Sequence, residues 1–367
     1  MEAGRRAEQE PAAGRPEGAQ PEGEQLEGVD QPDAGGTVRW RRLILNLAAG
    51  LVAAAVVIIL AGSRLGPQIA QTDLGNARYE YLVLAALCMI VVLLTEAFTL
   101  VVIARSIAPR ASRWGVFGVA FESLLVGGAT SFGGLEIPYQ VVRLRYTGLT
   151  ATQATSAVIV KGLVHTSLLV LVAAAALVPA IGTRLTHLQR WVIIAVILAV
   201  IAGWIIAALW TQKPVGMRLL PARVRKYTAS FREANLILLH AGWRAIALTV
   251  TLQAVYWVAM FSIIPLILMA LGYEGGILHV IVAQAALQVI MPFSPLPGGA
   301  GIAELGYLGL IGATIPPDIR VSSLVLWRIF TWLLPLTVGA LAIGVRVVIN
   351  SRRARLSRRE VSSVEPG

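Results

Sequence analysis

Apolar runs of 18 or more residues recur along this chain, and they constrain its fold more than any other feature. About 20 apolar residues, rising about 1.5 Å each, cross a hydrocarbon core about 30 Å thick. Inside that core the backbone must satisfy its own hydrogen bonds, which a helix does. The sequence therefore reads as an all-α polytopic membrane protein. Composition agrees: 56% of the residues are hydrophobic and 14% charged, with a mean hydropathy of +0.72. A soluble domain carries about 25% charged residues. Six full transmembrane helices are expected, at about 43–61, 79–104, 153–178, 188–210, 241–270 and 320–346.

Two further regions are apolar but interrupted. The first runs from about 115 to 146 and breaks at GGATSFGGLEIP. The second runs from about 277 to 313 and breaks at PFSPLPGGAGIAELG, where Pro292, Pro295 and Pro297 precede Gly298, Gly299 and Gly301. Each half is short for a span but fits a broken or re-entrant helix pair. A proline–glycine break ends one half-helix and starts another, whose free N–H groups face membrane depth and attract an anionic group. Close helix packing at Gly127, Gly128, Gly133 and Gly134 is the simpler account of the first set of glycines.

The order of pieces repeats. Long, long, broken pair, long describes residues 43–178 and again 188–346. SFGGLE (131–136) corresponds to GGAGIAE (298–304), and Lys161 to Arg328. Each half makes an odd number of net crossings, so the two are expected to be inverted repeats. With both termini in the cytoplasm, twenty-one Lys and Arg residues fall on the inner side and five on the outer. The positive-inside rule favours that orientation, in a plasma-membrane, multi-pass protein. It also accounts for the net charge of +11 without a nucleic-acid partner.

The ends lie outside this bundle. Residues 1–38 hold nine acidic residues and the near-repeats PEG, PEG and LEG, and are expected to be a disordered acidic tail. They lack the apolar core of a signal peptide. The transmembrane region is placed at 39–350, and 351–367 is a basic C-terminal tail. Cys88 is the only cysteine, and the four histidines show no HExxH-type spacing. No metal site, cofactor or catalytic residue is expected from these patterns. GAGIAE has no strand before it and no βαβ unit around it, so it is not a dinucleotide loop. The basic, mildly amphipathic segment 211–240 reads as a connector on anionic lipid or a solvated loop.

Glu96, Glu122, Glu136, Lys161, Glu304 and Arg328 all fall within apolar stretches. A charge at the centre of a membrane helix costs about 2.5–3.5 kcal/mol on insertion scales, so these side chains should pair or face a hydrated cavity. The duplication suggests two sets, Glu136 with Lys161 and Glu304 with Arg328. His165 shares the helix face of Lys161, being four residues further on. Buried ion pairs that fix helix packing are the plainer reading. For Glu304, capping its own half-helix and contact with a ligand are both open. Glu96 and Glu122 have no counterpart in the other repeat.

The segments PLPGGAGIAE and SFGGLEIPYQVVRLRYTGLT, with the order of spans, resemble the transmembrane domain of lysylphosphatidylglycerol synthases. That family also includes stand-alone flippase-like (UPF0104-type) membrane proteins. The resemblance covers about residues 40–350. It implies a lipid translocase that moves a phospholipid or lipid-linked head group between leaflets, with alternating access between inverted repeats. Gly298, Gly299, Gly301 and Glu304 are the positions that carry over as the signature. In the first half, Glu136 follows SFGGL without the proline run. The synthase's soluble transferase domain is not expected in this sequence, so aminoacyl transfer is not either. The alternative is a membrane subunit or anchor for a soluble lipid-modifying enzyme.

Overall fold

The computed structural model describes residues 77–130, 134–181, 198, 236 and 242–364. Every regular element among them is helical. The helices are α1 (Tyr79–Ile107), α2 (Arg113–Gly128), α3 (Glu136–Arg145), α4 (Ala151–Ile181), α5 (Trp243–Ala270), α6 (Ile277–Ile290), α7 (Ile302–Gly306), α8 (Pro317–Arg328) and α9 (Leu334–Val364). Four stretches are long and apolar enough to cross a membrane: Tyr79–Ile107, Ala151–Ala175, Trp243–Ala270 and Pro317–Ser351. They coincide with four of the six spans expected from sequence. The expected spans at 43–61 and 188–210 lie outside the described residues, as do residues 1–38, the connector apart from Leu236, and Gly133.

Local sequence explains where helices begin. Ser112 caps α2 by accepting from the Gly115 N–H at 3.2 Å. Thr150 and Gln153 cap α4 reciprocally, Thr150 N to Gln153 Oε1 at 3.0 Å and Gln153 N to Thr150 Oγ1 at 3.2 Å. Pro317 opens α8 at a position where its missing N–H leaves nothing unsatisfied.

The packing is that of a bundle set in lipid. On α1 the large side chains Val83, Leu87, Ile90, Leu94 and Phe98 are exposed along one stripe. The opposite face buries Ala85, Thr95, Ala97, Thr99 and Ala104. Small residues there let α5, the most extensive neighbour of α1, approach closely. The Thr95 hydroxyl donates back to Val91 O at 2.7 Å and that of Thr99 to Thr95 O at 2.7 Å, so neither brings an unmet polar group into the core. Gly339 of α9 serves α2 in the same way. A Cβ there would stand 2.5 Å from the Leu125 backbone nitrogen.

The second broken region is resolved throughout. After α6 the chain makes a 3₁₀ turn at Met291–Phe293 and another at Pro297–Gly299, then starts α7. Ser294 ties the connection together. Its hydroxyl donates to Ala300 O at 2.8 Å and accepts from Leu296 N at 3.3 Å. Gly298, Gly299 and Gly301 have φ of 62°, 72° and 81°, a region that side-chain-bearing residues rarely occupy. Beyond α7 the chain continues as a π-helical turn at Tyr307–Ile311 and a 3₁₀ turn at Gly312–Thr314. A second π turn, Ile329–Leu333, joins α8 to α9 directly after Arg328. Such turns inside helices occur often at functional sites.

Candidate functional site

The site is built around a cavity of about 400 Å³ lined from α1, α2, α3, α4, α5, the π turn before α9 and the start of α9. Its charged walls are Glu96 from α1, Glu136 from α3 and Lys161 from α4, with His165 one turn further along α4. Lys161 is the eleventh residue of α4, about 15 Å from its start by helical rise. Glu96 also stands near the middle of its helix. Lys161 and Glu96 therefore sit deep in their spans, whereas Glu136 opens the short α3.

Lys161 forms its ion pair with Glu96. This corrects the expectation that Glu136 would be the partner. Glu136 instead accepts from Gln140 Nε2 at 2.9 Å, one turn along its own helix. Its carboxylate rests against Gly127, where a Cβ would stand 2.5 Å from Glu136 Oε2. Gln140, almost fully buried, also donates to Ser123 Oγ at 2.9 Å. Gly127 thus does more than let helices pack: its bare backbone makes room for a carboxylate. Gly134 lies in the turn just ahead of Glu136, and its side-chain-free position contributes no cavity wall.

Glu96 has a second tether. Gln253 of α5 donates to Glu96 Oε2 and to Thr99 Oγ1, each at 3.2 Å. The Gln253 Oε1 lies 2.9 Å from His165 Nδ1. The His165 ring packs edge-on against Tyr256, and its backbone carbonyl accepts from Trp257 Nε1 at 3.1 Å. A continuous polar chain therefore runs Lys161, Glu96, Gln253, His165 across α4, α1 and α5. Two carboxylates face the cavity against one ammonium.

Glu304 and Arg328 come together elsewhere, at the break. Arg328 Nε lies 2.8 Å from Glu304 Oε1 in a charge contact that is off the line of a hydrogen bond. Arg328 Nη1 donates to Gly298 O at 2.9 Å. The other carboxylate oxygen, Glu304 Oε2, accepts from Gly301 N at 2.6 Å and so caps α7. Gly301 has no side chain to complete a reciprocal cap. Glu304 is 0% exposed and Arg328 5%. In this conformation both belong to the core, and neither lines the cavity.

Trp332 connects the two places. It lines the cavity, and its Nε1 donates to Gly128 O at 3.1 Å at the end of α2. The Arg328 guanidinium sits 4.6 Å above its ring. The space that a Cβ on Gly298 would take is filled by the same indole. The sequence pattern singled out Glu304, Arg328, Gly298, Glu136, Lys161 and His165. It missed Gln253, Gln140 and Trp332, which carry no charge and so raise no alarm in an apolar run. Glu96 had its charge as a signal but nothing in the sequence pattern that paired it with Lys161.

A bundle of helices with exposed apolar faces, four of them long enough to cross a membrane, interrupted by the glycine-rich break after α6 and hollowed around an ion pair, defines the class: a polytopic membrane protein with a polar cavity. The family model described as "Lysylphosphatidylglycerol synthase TM region" matches residues 46–339, and the chain belongs to that family. It is also similar to a protein described as "UPF0104 membrane protein" from Archaeoglobus fulgidus, at 29% identity over 118 residues. That match covers 32% of this chain and 36% of the relative's length.

Proposed function

We propose that this chain is a lipid translocase, which moves a phospholipid or lipid-linked molecule with a polar or charged head group between leaflets. The observation that carries this reading is the cavity of about 400 Å³ with Glu96 and Lys161, set well inside α1 and α4, and Glu136, at the start of α3, on its walls, in a bundle whose outer faces are apolar. A charged lipid cannot carry its head group through hydrocarbon without a polar path, and buried charges at a helix junction supply one. Glu136 and Glu96 suit a cationic moiety, and Lys161 a phosphate. Membership of a membrane family whose name concerns a lipid-synthesising enzyme is consistent with a lipid substrate.

On this reading the two halves of the chain are inverted repeats, with two broken pairs and six full spans. The membrane is the plasma membrane and both termini are cytoplasmic. The cavity is then open in one state, while the Glu304–Arg328 lock is closed. In the opposite state the lock opens and Gly298, Gly299 and Gly301 line the path. A soluble lipid-modifying enzyme is a natural supplier of the substrate.

The test is leaflet exchange in proteoliposomes. Phospholipids with a fluorescent head group or tail are bleached from outside, and the protected fraction is followed in time. The wild-type chain accelerates exchange over empty vesicles. A Glu96→Gln/Lys161→Met double variant, which removes both charges together, loses the acceleration while folding. Wild-type exchange in that variant would remove the cavity from the mechanism. No exchange by the wild-type chain with anionic, zwitterionic or cationic lipids would remove the function.

A further inference from the structure

A second cavity, of about 620 Å³, opens between α2, the end of α3 and the middle of α9. It shares no lining residue with the central cavity. Its floor is Glu122, which is 3% exposed. Glu122 Oε1 takes Arg346 Nε at 3.2 Å, and Oε2 takes Arg143 Nε at 3.0 Å and the Tyr139 hydroxyl at 2.7 Å.

One carboxylate thus holds two arginines. If Glu122 merely needed neutralising, a single guanidinium would suffice, and the second leaves a surplus positive charge beside the cavity. Each arginine meets Glu122 through Nε and lines the cavity, so its two Nη groups are not spent on that carboxylate. Among the described residues, no protein acceptor takes them. The side chains are 22% and 26% exposed, held in place yet accessible. The Arg143 guanidinium also rests 5.6 Å from the Tyr146 ring centre, which fixes its plane. Paired guanidinium forks facing one space match the tetrahedral oxygens of a phosphate.

We propose that Arg143 and Arg346, positioned by Glu122, form a phosphate-binding site at the basic end of the bundle, separate from the transport cavity. The strongly exposed Trp114 beside it, 77% exposed, suits the membrane–water interface. The phosphate of an anionic lipid head group at that surface is one source of the ligand, and a soluble phosphate the other.

The test uses the wild-type full chain in uncharged detergent and does not depend on transport. Arginines are modified with phenylglyoxal and the rates are read peptide by peptide by mass spectrometry. Short-chain phosphatidylglycerol and inorganic phosphate are added in separate arms. Protection of Arg143 and Arg346 by about tenfold, in line with charge-assisted bonds, is expected. The exposed Arg110 serves as the unprotected control. Protection by the lipid alone assigns the site to a head group, and protection by both assigns it to phosphate in general. In a Glu122→Gln variant, which raises the local charge, protection should need less ligand. Equal modification rates with and without either ligand would overturn the site, whether or not the chain moves lipid.

Discussion

Trp332 Nε1 donates to the carbonyl of Gly128 at 3.1 Å, across 204 residues of sequence. That bond joins the end of α2, just ahead of the first break, to the helix that carries Arg328. The same indole fills the space beside Gly298 and lies under the Arg328 guanidinium. One aromatic ring therefore touches the cavity, the second break and its ion pair. Trp332→Phe keeps the ring but drops the donor, and leaves Gly128 O without that partner. A loss of about 1 kcal/mol is expected in detergent-micelle unfolding. Unchanged unfolding would show that the bond contributes nothing.

The glycines of the break differ in what they tolerate. Gly298 combines φ of 62° with an indole in the way of any Cβ. Gly298→Ala should cost more than the ~1–3 kcal/mol of left-handed strain alone. Gly299→Ala meets the flexible end of Met291 at 3.1 Å, so strain should dominate and the loss be smaller. Gly309→Ala, with nothing within 4 Å and no positive φ, should be close to neutral. Thermal unfolding of the three variants gives the order.

Glu304 has two structural duties, the cap on Gly301 and the charge opposite Arg328. Glu304→Ala removes both and strands a buried guanidinium, so ~3–5 kcal/mol of stability is expected to go. Glu304→Gln retains an acceptor for the Gly301 N–H and should lose less. The loss in Arg328→Met combined with Glu304→Gln should fall well below the sum of the single losses. A double-mutant cycle by chemical unfolding reads that coupling.

The Lys161–Glu96 pair obeys the same logic in a different place. Lys161→Met alone leaves two carboxylates in the cavity without a cation, and should destabilise by ~3–5 kcal/mol. Adding Glu96→Gln should restore most of that loss, since Gln253 can still bond the amide. Recovery is checked by thermal unfolding in the same detergent. A double variant no more stable than Lys161→Met would mean that Glu96 is not the compensating partner.

The class of the molecule and four of its spans were legible because apolar length is a local property. α1 begins at Tyr79 and α5 ends at Ala270, where the apolar runs themselves begin and end. The break after α6 was legible for the same reason, since Pro292 to Gly301 cannot continue a helix. The contact of Glu304 with Arg328 could be read from sequence, because both are charges set in neighbouring apolar stretches. The partner of Lys161 could not. Gln140 and the bare backbone of Gly127 hold Glu136 aside, and α1 brings Glu96 in from a helix distant in sequence. Gln253 and Trp332 were hidden because only tertiary packing distinguishes them from any other Gln or Trp in a membrane helix.

The central claim is that the Glu96–Lys161 cavity carries lipid head groups across the membrane. The most direct measurement is leaflet exchange by the Glu96→Gln/Lys161→Met variant, set beside the wild-type chain at equal, unfolding-verified protein density. The account predicts that wild type accelerates exchange and that the variant falls to the rate of empty vesicles. Exchange by the folded variant at the wild-type rate would contradict it.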